Sequence, residues 1–221
     1  MSAVSAAMLA SYMKMVPGKF VVVAVFLNIL SALIISCIIN PYDVDPNDEL
    51  VQIQKGNNEA FFEVLGNYIT DGFKLAISVA AMLIGFVALV TFLNSTFVAL
   101  IHISFTTLIG YVFAPVAWVM GVPNQDIVKV GSLMATKLIT NEFVAMGNLQ
   151  GIASGLTAKG NAIISAYLVS FANFGTVGIV TGSIKAISKK QGSYVAKFSM
   201  KLLLGATLAS VLTGTIVGVY F

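Results

Sequence analysis

Four apolar runs, at about 20–40, 73–101, 160–184 and 198–221, punctuate the chain. Each is long enough to cross a hydrocarbon core of roughly 30 Å as a helix. Shorter apolar pieces at 1–16, 105–120 and 130–149 are too short or too polar for simple spans and read as partial, interfacial or re-entrant elements. The first element, Ser2 to Val16, ends at the turn signal Pro17-Gly18, and the span that follows, Phe20 to Asn40, stops at Pro41. Residues 1–40 thus read as a helix pair, and 41–57, with Asp43, Asp45, Asp48 and Glu49, as a hydrophilic loop.

Next, Glu59, Glu63, Asn67 and Asp71 recur every four residues opposite Phe61, Phe62, Leu65, Tyr68 and Ile69. That spacing predicts an amphipathic helix over 58–72, lying in the membrane interface or packed on protein. Residues 73–123 combine a scaffold span with an aromatic interfacial segment, Tyr111, Phe113, Pro115 and Trp118, closed by Gly121-Val122-Pro123. Residues 124–158 read as a re-entrant hairpin of two half-helices, and 159–221 as a broken helix followed by a final span. A helix–turn–helix recurs at 1–40 and 160–221, with Lys19-Phe20 and Lys197-Phe198 expected to open the second helix each time.

Composition fixes the class. The 221 residues are 58% hydrophobic and only 10% charged, against about 25% charged in ordinary soluble domains, and the mean hydropathy is +0.94. This is an all-α membrane protein with the lipid bilayer as its solvent. The net charge of +3 comes from lysine alone. The lysines are not gathered in a patch with aromatics, so nucleic acid is not a partner. If 160–184 and 198–221 cross in opposite senses, Lys55, Lys74, Lys185, Lys189, Lys190, Lys197 and Lys201 share one side, and Lys14, Lys19, Lys129 and Lys159 the other. The excess puts the first group in the cytoplasm and the C-terminus outside. The single Cys37 and single His102 offer neither a disulfide framework nor a metal cluster, and the N-terminus makes a poor signal peptide.

Polar residues inside apolar runs are the candidate chemistry. Glu142 is the one acid among the last 95 residues. A charge at membrane depth costs roughly 2.5–3.5 kcal/mol by insertion scales and therefore faces a polar cavity by default. Ionised, it could accept two hydrogen bonds from a vicinal diol such as a ribose; protonated, it could carry a coupling proton. Lys137, five residues earlier, could instead pair with it as a structural ion pair at the hairpin tip. About thirty residues on, Phe171-Ala172-Asn173-Phe174-Gly175-Thr176 interrupts another apolar run. Asn173 offers an amide and Thr176 a hydroxyl, Phe171 could stack on a planar ring, and Gly175 and Gly178 weaken the helix. Gly178-x-x-x-Gly182 is also a small-residue packing pattern, and Ser2 and Ser5 read as packing residues. No motif for bond-making chemistry is present, so the chain is not an enzyme and needs no cofactor or metal beyond a coupling ion.

Three segments carry a family resemblance. Ala135-x-Lys137-x-x-x-Asn141-Glu142-Phe143-Val144-Ala145-Met146 resembles the signature of the concentrative nucleoside transporters. Phe171-Ala172-Asn173-Phe174 is similar to the family's broken seventh-helix motif, and Phe113 to Pro123 to the segment before its second hairpin. The resemblance covers essentially the whole chain, is strongest to the bacterial proton-coupled branch, and concerns only the family's C-terminal portion.

The resemblance implies a nucleoside:proton symporter working by alternating access in the bacterial cytoplasmic (inner) membrane as a multi-pass protein. It implies substrate contacts from Glu142, Asn141, Asn173 and Thr176 on the ribose side and Phe171 on the nucleobase side. Glu142 is then the candidate for proton coupling and H+ the expected ion. Many members have serine at the position of Thr176. Expected partners are nucleosides of the uridine, cytidine and adenosine type, two further copies in a homotrimer and, where the N-terminal half is not in the same polypeptide, a separate chain supplying it. The family's base-reading hairpin, with its Gly-Gln-(Ser/Thr)-Glu type motif, has no counterpart here, since Gln191-Gly192 runs in the reverse order. Residues 1–16 resemble the helix after that hairpin. Three readings follow: the C-terminal part of a symporter, an inactive fragment of one, or a membrane scaffold subunit without transport.

Overall fold

Helix boundaries in this protein fall where the sequence removes backbone donors or supplies caps. The computed structural model describes residues 3–4, 6–41, 60–187 and 189–221. Among these, helices run in the order α1 (Ala6–Met13), α2 (Gly18–Ile39), α3 (Phe61–Ile101), α4 (Phe105–Val119), α5 (Ile127–Ile139), α6 (Glu142–Ile152), α7 (Ala158–Leu168), α8 (Phe174–Ile187) and α9 (Lys189–Val219). Ser2, Ser5, Asp43, Asp45, Asp48, Glu49, Lys55 and Glu59 lie outside the described residues.

Pro17 stands immediately before α2, where its missing N–H costs nothing. Helix α2 and the Lys190–Val219 stretch of α9 are each long and apolar enough to cross a membrane. They pack together and share a buried polar seam. Thr213 Oγ1 donates to Asn28 Oδ1 at 3.0 Å and lies 3.1 Å from Ser31 Oγ. Such interhelical bonds pair hydroxyls and amides that lipid could not satisfy. Lys197 and Phe198 fall inside α9 rather than opening a helix, because α9 already begins at Lys189; the repeat expected from their position is not formed in that register. Lys185 lies in the last turn of α8 and Lys190 in the first turn of α9, so these lysines stand on helix ends.

The amphipathic segment and the span after it are one helix. From Phe61 to Ile101, α3 runs 41 residues with no interruption near position 72. Gly72 alone cannot end a helix: it costs about 1 kcal/mol relative to alanine, and no capping group accompanies it. Glu63, Asn67 and Asp71 are exposed, and so are Phe61, Phe62, Tyr68 and Ile69. Among the described residues, nothing covers either face of these first turns. The helix stops at His102, which takes the left-handed conformation (φ 58°) while its N–H still reaches Val98 O. There the chain turns by 92° into α4. Ser104 caps α4 by accepting from Thr107 N, and Asn94 Oδ1 accepts from Thr106 N at 3.0 Å, fixing the corner.

Helix α4 lies tightly on α5. A Cβ on Gly131 would run into Gly110 O, and one on Gly110 into the Ser132 hydroxyl. Glycine at both positions lets the backbones approach. By contrast, a Cβ on Gly178 or Gly182 would meet nothing within 4 Å, so that small-residue pair makes no helix contact among the described residues.

The core forms where α1, α2, α5, α6 and α7 meet. Tyr12, Val21, Val130, Met134, Met146, Ile163, Ile164, Tyr167 and Leu168 are fully enclosed there. Large apolar side chains such as Phe26, Ile38, Ile84, Phe92, Leu100 and Trp118 are exposed on the outside, as expected of a surface that meets acyl chains rather than water.

Candidate functional site

Two helices in this core are interrupted, and the interruptions face each other. The first lies between α5 and α6. Thr140 ends α5, and Asn141, in extended conformation, caps α6 by accepting from Val144 N at 3.0 Å. The far ends of the two helices are tied back together. Lys129 Nζ donates to Gly155 O at 3.1 Å, and Asp126 Oδ2 accepts from both the amide and the hydroxyl of Thr157. The pair is therefore a hairpin whose tip carries Asn141-Glu142 and whose two stems start and finish at one level.

The second interruption separates α7 from α8 at 169–173. Asn173 closes it: its Oδ1 accepts from Thr176 N at 2.8 Å and from Thr176 Oγ1 at 3.0 Å, the geometry of a helix cap. Helices α6 and α8 thus both begin with a capping asparagine, and both present a positive N-terminal end.

Glu142 sits between them. It is 3% exposed. Its Oε1 accepts from the Tyr12 hydroxyl at 3.0 Å and its Oε2 from Asn173 Nδ2 at 2.9 Å. As the first residue of α6, it places its carboxylate at the positive end of that helix. Two charge-assisted hydrogen bonds and a helix N-terminus meet the requirements of a buried carboxylate, with Lys137 acting on it electrostatically from beyond ion-pairing distance.

Lys137 is not the partner of Glu142. Its ammonium, wholly buried, donates to Tyr167 O, Ser170 Oγ and, at 3.5 Å, Ser210 Oγ, and lies 4.1 Å from the centre of the Tyr167 ring. The ion pair considered for the hairpin tip does not form. The helix break at 140–141 turns the two residues toward different neighbours.

Glu142, Asn173 and Thr176 are joined in one hydrogen-bonded chain. Phe171 is half-buried on the break itself, and its carbonyl accepts from Asn173 N at 3.0 Å. Asn141 is half-buried beside Glu142, its side-chain oxygen spent on the α6 cap. Tyr12 is the residue that sequence reasoning missed. It is fully buried against Phe143, with ring centroids 5.3 Å apart, and is separated from Glu142 by 130 positions. The one available signal was a phenol within a short apolar run, a residue that demands a hydrogen-bond partner when buried.

Comparison with known proteins gives the family and the fold. A family model described as the C-terminus of Na+ dependent nucleoside transporters matches residues 20–218. The purine nucleoside transport protein NupG of Bacillus subtilis is 34% identical over 223 residues, which cover 100% of this chain and 56% of NupG. The nucleoside permease NupC of Helicobacter pylori is 27% identical over 233 residues, covering 100% of this chain and 55% of NupC. Among solved structures, CNTnw in an inward-facing substrate-bound state superimposes with a TM-score of 0.87 at 26% identity, covering 99% of this chain and 55% of that one. The chain spans about half the length of the curated relatives it matches. The family match over most of the chain, with a helical membrane fold shared with these proteins, places the chain in the concentrative nucleoside transporter family, of which it carries the C-terminal portion.

Proposed function

We propose that this chain forms the ribose-gripping half of a nucleoside:proton symporter. The observation that carries the reading is the contact between Glu142 and Asn173, made where two half-helices begin. A carboxylate has about four acceptor positions. Tyr12 and Asn173 take two, which leaves room for the 2′- and 3′-hydroxyls of a ribose. Thr176 adds a hydroxyl from α8, Asn141 its Nδ2 from the hairpin tip, and Phe171 an aromatic face for the nucleobase side. Neutral groups and one carboxylate suit an uncharged, diol-bearing substrate.

Glu142 is also the proton site in this reading. A protonated carboxyl donates from one oxygen only. The Tyr12 hydroxyl can switch from donor to acceptor, whereas the Asn173 amide nitrogen can only donate. The proton therefore fits on Oε1, and the Asn173 contact survives it. Base recognition comes from an N-terminal half, in the same polypeptide or in a second chain. The uncovered turns of α3 are the surface on which three copies would meet, and the bacterial inner membrane is the setting, crossed several times.

The test is uptake of radiolabelled uridine by cells lacking their own nucleoside transporters. The chain is expressed alone and fused to the N-terminal half of the Bacillus subtilis relative. Uptake that falls on collapse of the proton gradient, and is lost in Glu142→Gln, is the expected result. Uptake unchanged by Glu142→Gln would remove Glu142 from both roles.

A further inference from the structure

Lys137 is the buried charge that the proposed transport chemistry leaves unexplained. Among the described residues no carboxylate lies within ion-pairing distance of it. Its ammonium is instead surrounded by neutral oxygens, as an inorganic cation would be: Tyr167 O, Ser170 Oγ and Ser210 Oγ, with the Tyr167 ring beneath. Three acceptors match the three protons of an ammonium. A buried cation whose direct contacts are all neutral is expensive, even with Glu142 acting on it from beyond ion-pairing distance, and is not what packing alone selects.

Position gives it a purpose. Tyr167 O belongs to the last turn of α7, whose final carbonyls have no helical partner and carry the negative end of the helix dipole. Ser170 lies in the break itself and is 2.7 Å from Ser210 of α9. The neighbouring carbonyl, Val169 O, is taken in turn by Asn28 Nδ2 from α2. Unwound backbone in an apolar setting survives only where such partners are supplied. The same hairpin carries Glu142, which meets the positive end of α8 through the Asn173 cap. The hairpin thus sets a cation against the end of one half-helix and a carboxylate against the start of the next, with charges matched at both.

We infer that Lys137 is a tethered cation that docks the hairpin onto the broken helix, and is thereby a positioning residue holding Asn173 in register with Glu142. The docking stands on the contacts above; its consequence for substrate rests on the ribose-binding reading.

Two readouts keep these apart: amide hydrogen exchange over residues 168–176 in nanodiscs, and binding of tritiated uridine to the same preparation. The full chain is compared with Lys137→Met, which keeps most of the volume without the charge. Lys137→Ala is measured with and without propylammonium, which replaces the missing atoms. Docking predicts that exchange over 168–176 quickens about tenfold or more in Lys137→Met, the loss expected for a hydrogen bond to a charged group, and that propylammonium restores protection to Lys137→Ala. Wild-type protection in Lys137→Met, or no rescue of a monodisperse Lys137→Ala by propylammonium, overturns the inference. Uridine affinity should fall and recover in parallel. If exchange responds as predicted while wild-type chain binds no uridine, the docking holds and the substrate reading fails.

Discussion

Asn173 Nδ2 donates to Glu142 Oε2 at 2.9 Å, across 31 positions of sequence and between two different helix interruptions. This single bond joins the hairpin tip to the start of α8. Asn173 is committed on both sides, because its Oδ1 caps α8 while its amide holds the carboxylate. Replacing Asn173 by alanine should therefore do two things at once. Hydrogen bonds to charged groups contribute about 1.5–3 kcal/mol, so uridine affinity should drop roughly ten- to hundredfold. Loss of the cap should also lower the thermal midpoint in detergent. Asn173→Asp keeps the cap acceptor but sets a second buried carboxylate against Glu142, and should abolish binding and lower the thermal midpoint as well.

Tyr12→Phe should leave the ring contact with Phe143 intact and remove only the donor to Glu142 Oε1. The expected outcome is a folded protein whose uridine uptake responds differently to external pH, because the proposed proton site has lost the group that accepts from it. An unchanged pH profile would show that the proton is carried elsewhere.

At the base of the hairpin, Asp126 is 1% exposed and accepts twice from Thr157. Asp126→Ala leaves the amide and hydroxyl of Thr157 without their partner, a loss of about 1–3 kcal/mol. The thermal midpoint should fall. Gly160→Ala should act in the same direction, since its new methyl group would run into the Asp126 carboxylate. Equal stability in both variants would mean that this tie does not hold the hairpin closed.

The α4–α5 contact gives a third test of the scaffold. Gly131→Leu must push α4 away from α5 at Gly110, and overpacking of this kind costs about 1–3 kcal/mol. The thermal midpoint should fall, and Gly131→Ala should show a smaller effect of the same sign.

Glu142, Asn173 and Thr176 were legible in the sequence for one physical reason. Each is a polar residue in an apolar run, where a membrane tolerates it only with a partner. The hairpin and the break near residue 171 followed from the same interruptions. Tyr12 was hidden because its partner lies 130 positions away, and periodicity carries no information at that range. For Lys137 a spacing of five left a local pair open, but the break between α5 and α6 sends its ammonium to carbonyl and hydroxyl oxygens some thirty and seventy positions downstream. The continuity of α3 was also obscured, because its first turns follow an amphipathic pattern and the rest an apolar one. A change of face pattern marks a change of surroundings and need not mark a helix end. The fixed features were thus those set by desolvation, and the missed ones those set by tertiary contact.

If Glu142 and Asn173 grip the ribose diol, as proposed, the protein must discriminate between uridine and 2′,3′-dideoxyuridine. Binding of both is measured on the wild-type chain and on Glu142→Gln. The expected result is that the wild type prefers uridine by about tenfold or more, the effect of leaving buried polar groups unpaired, and that Glu142→Gln erases most of that preference. Equal binding of the two nucleosides by the wild type, or a preference that survives in Glu142→Gln, would contradict it.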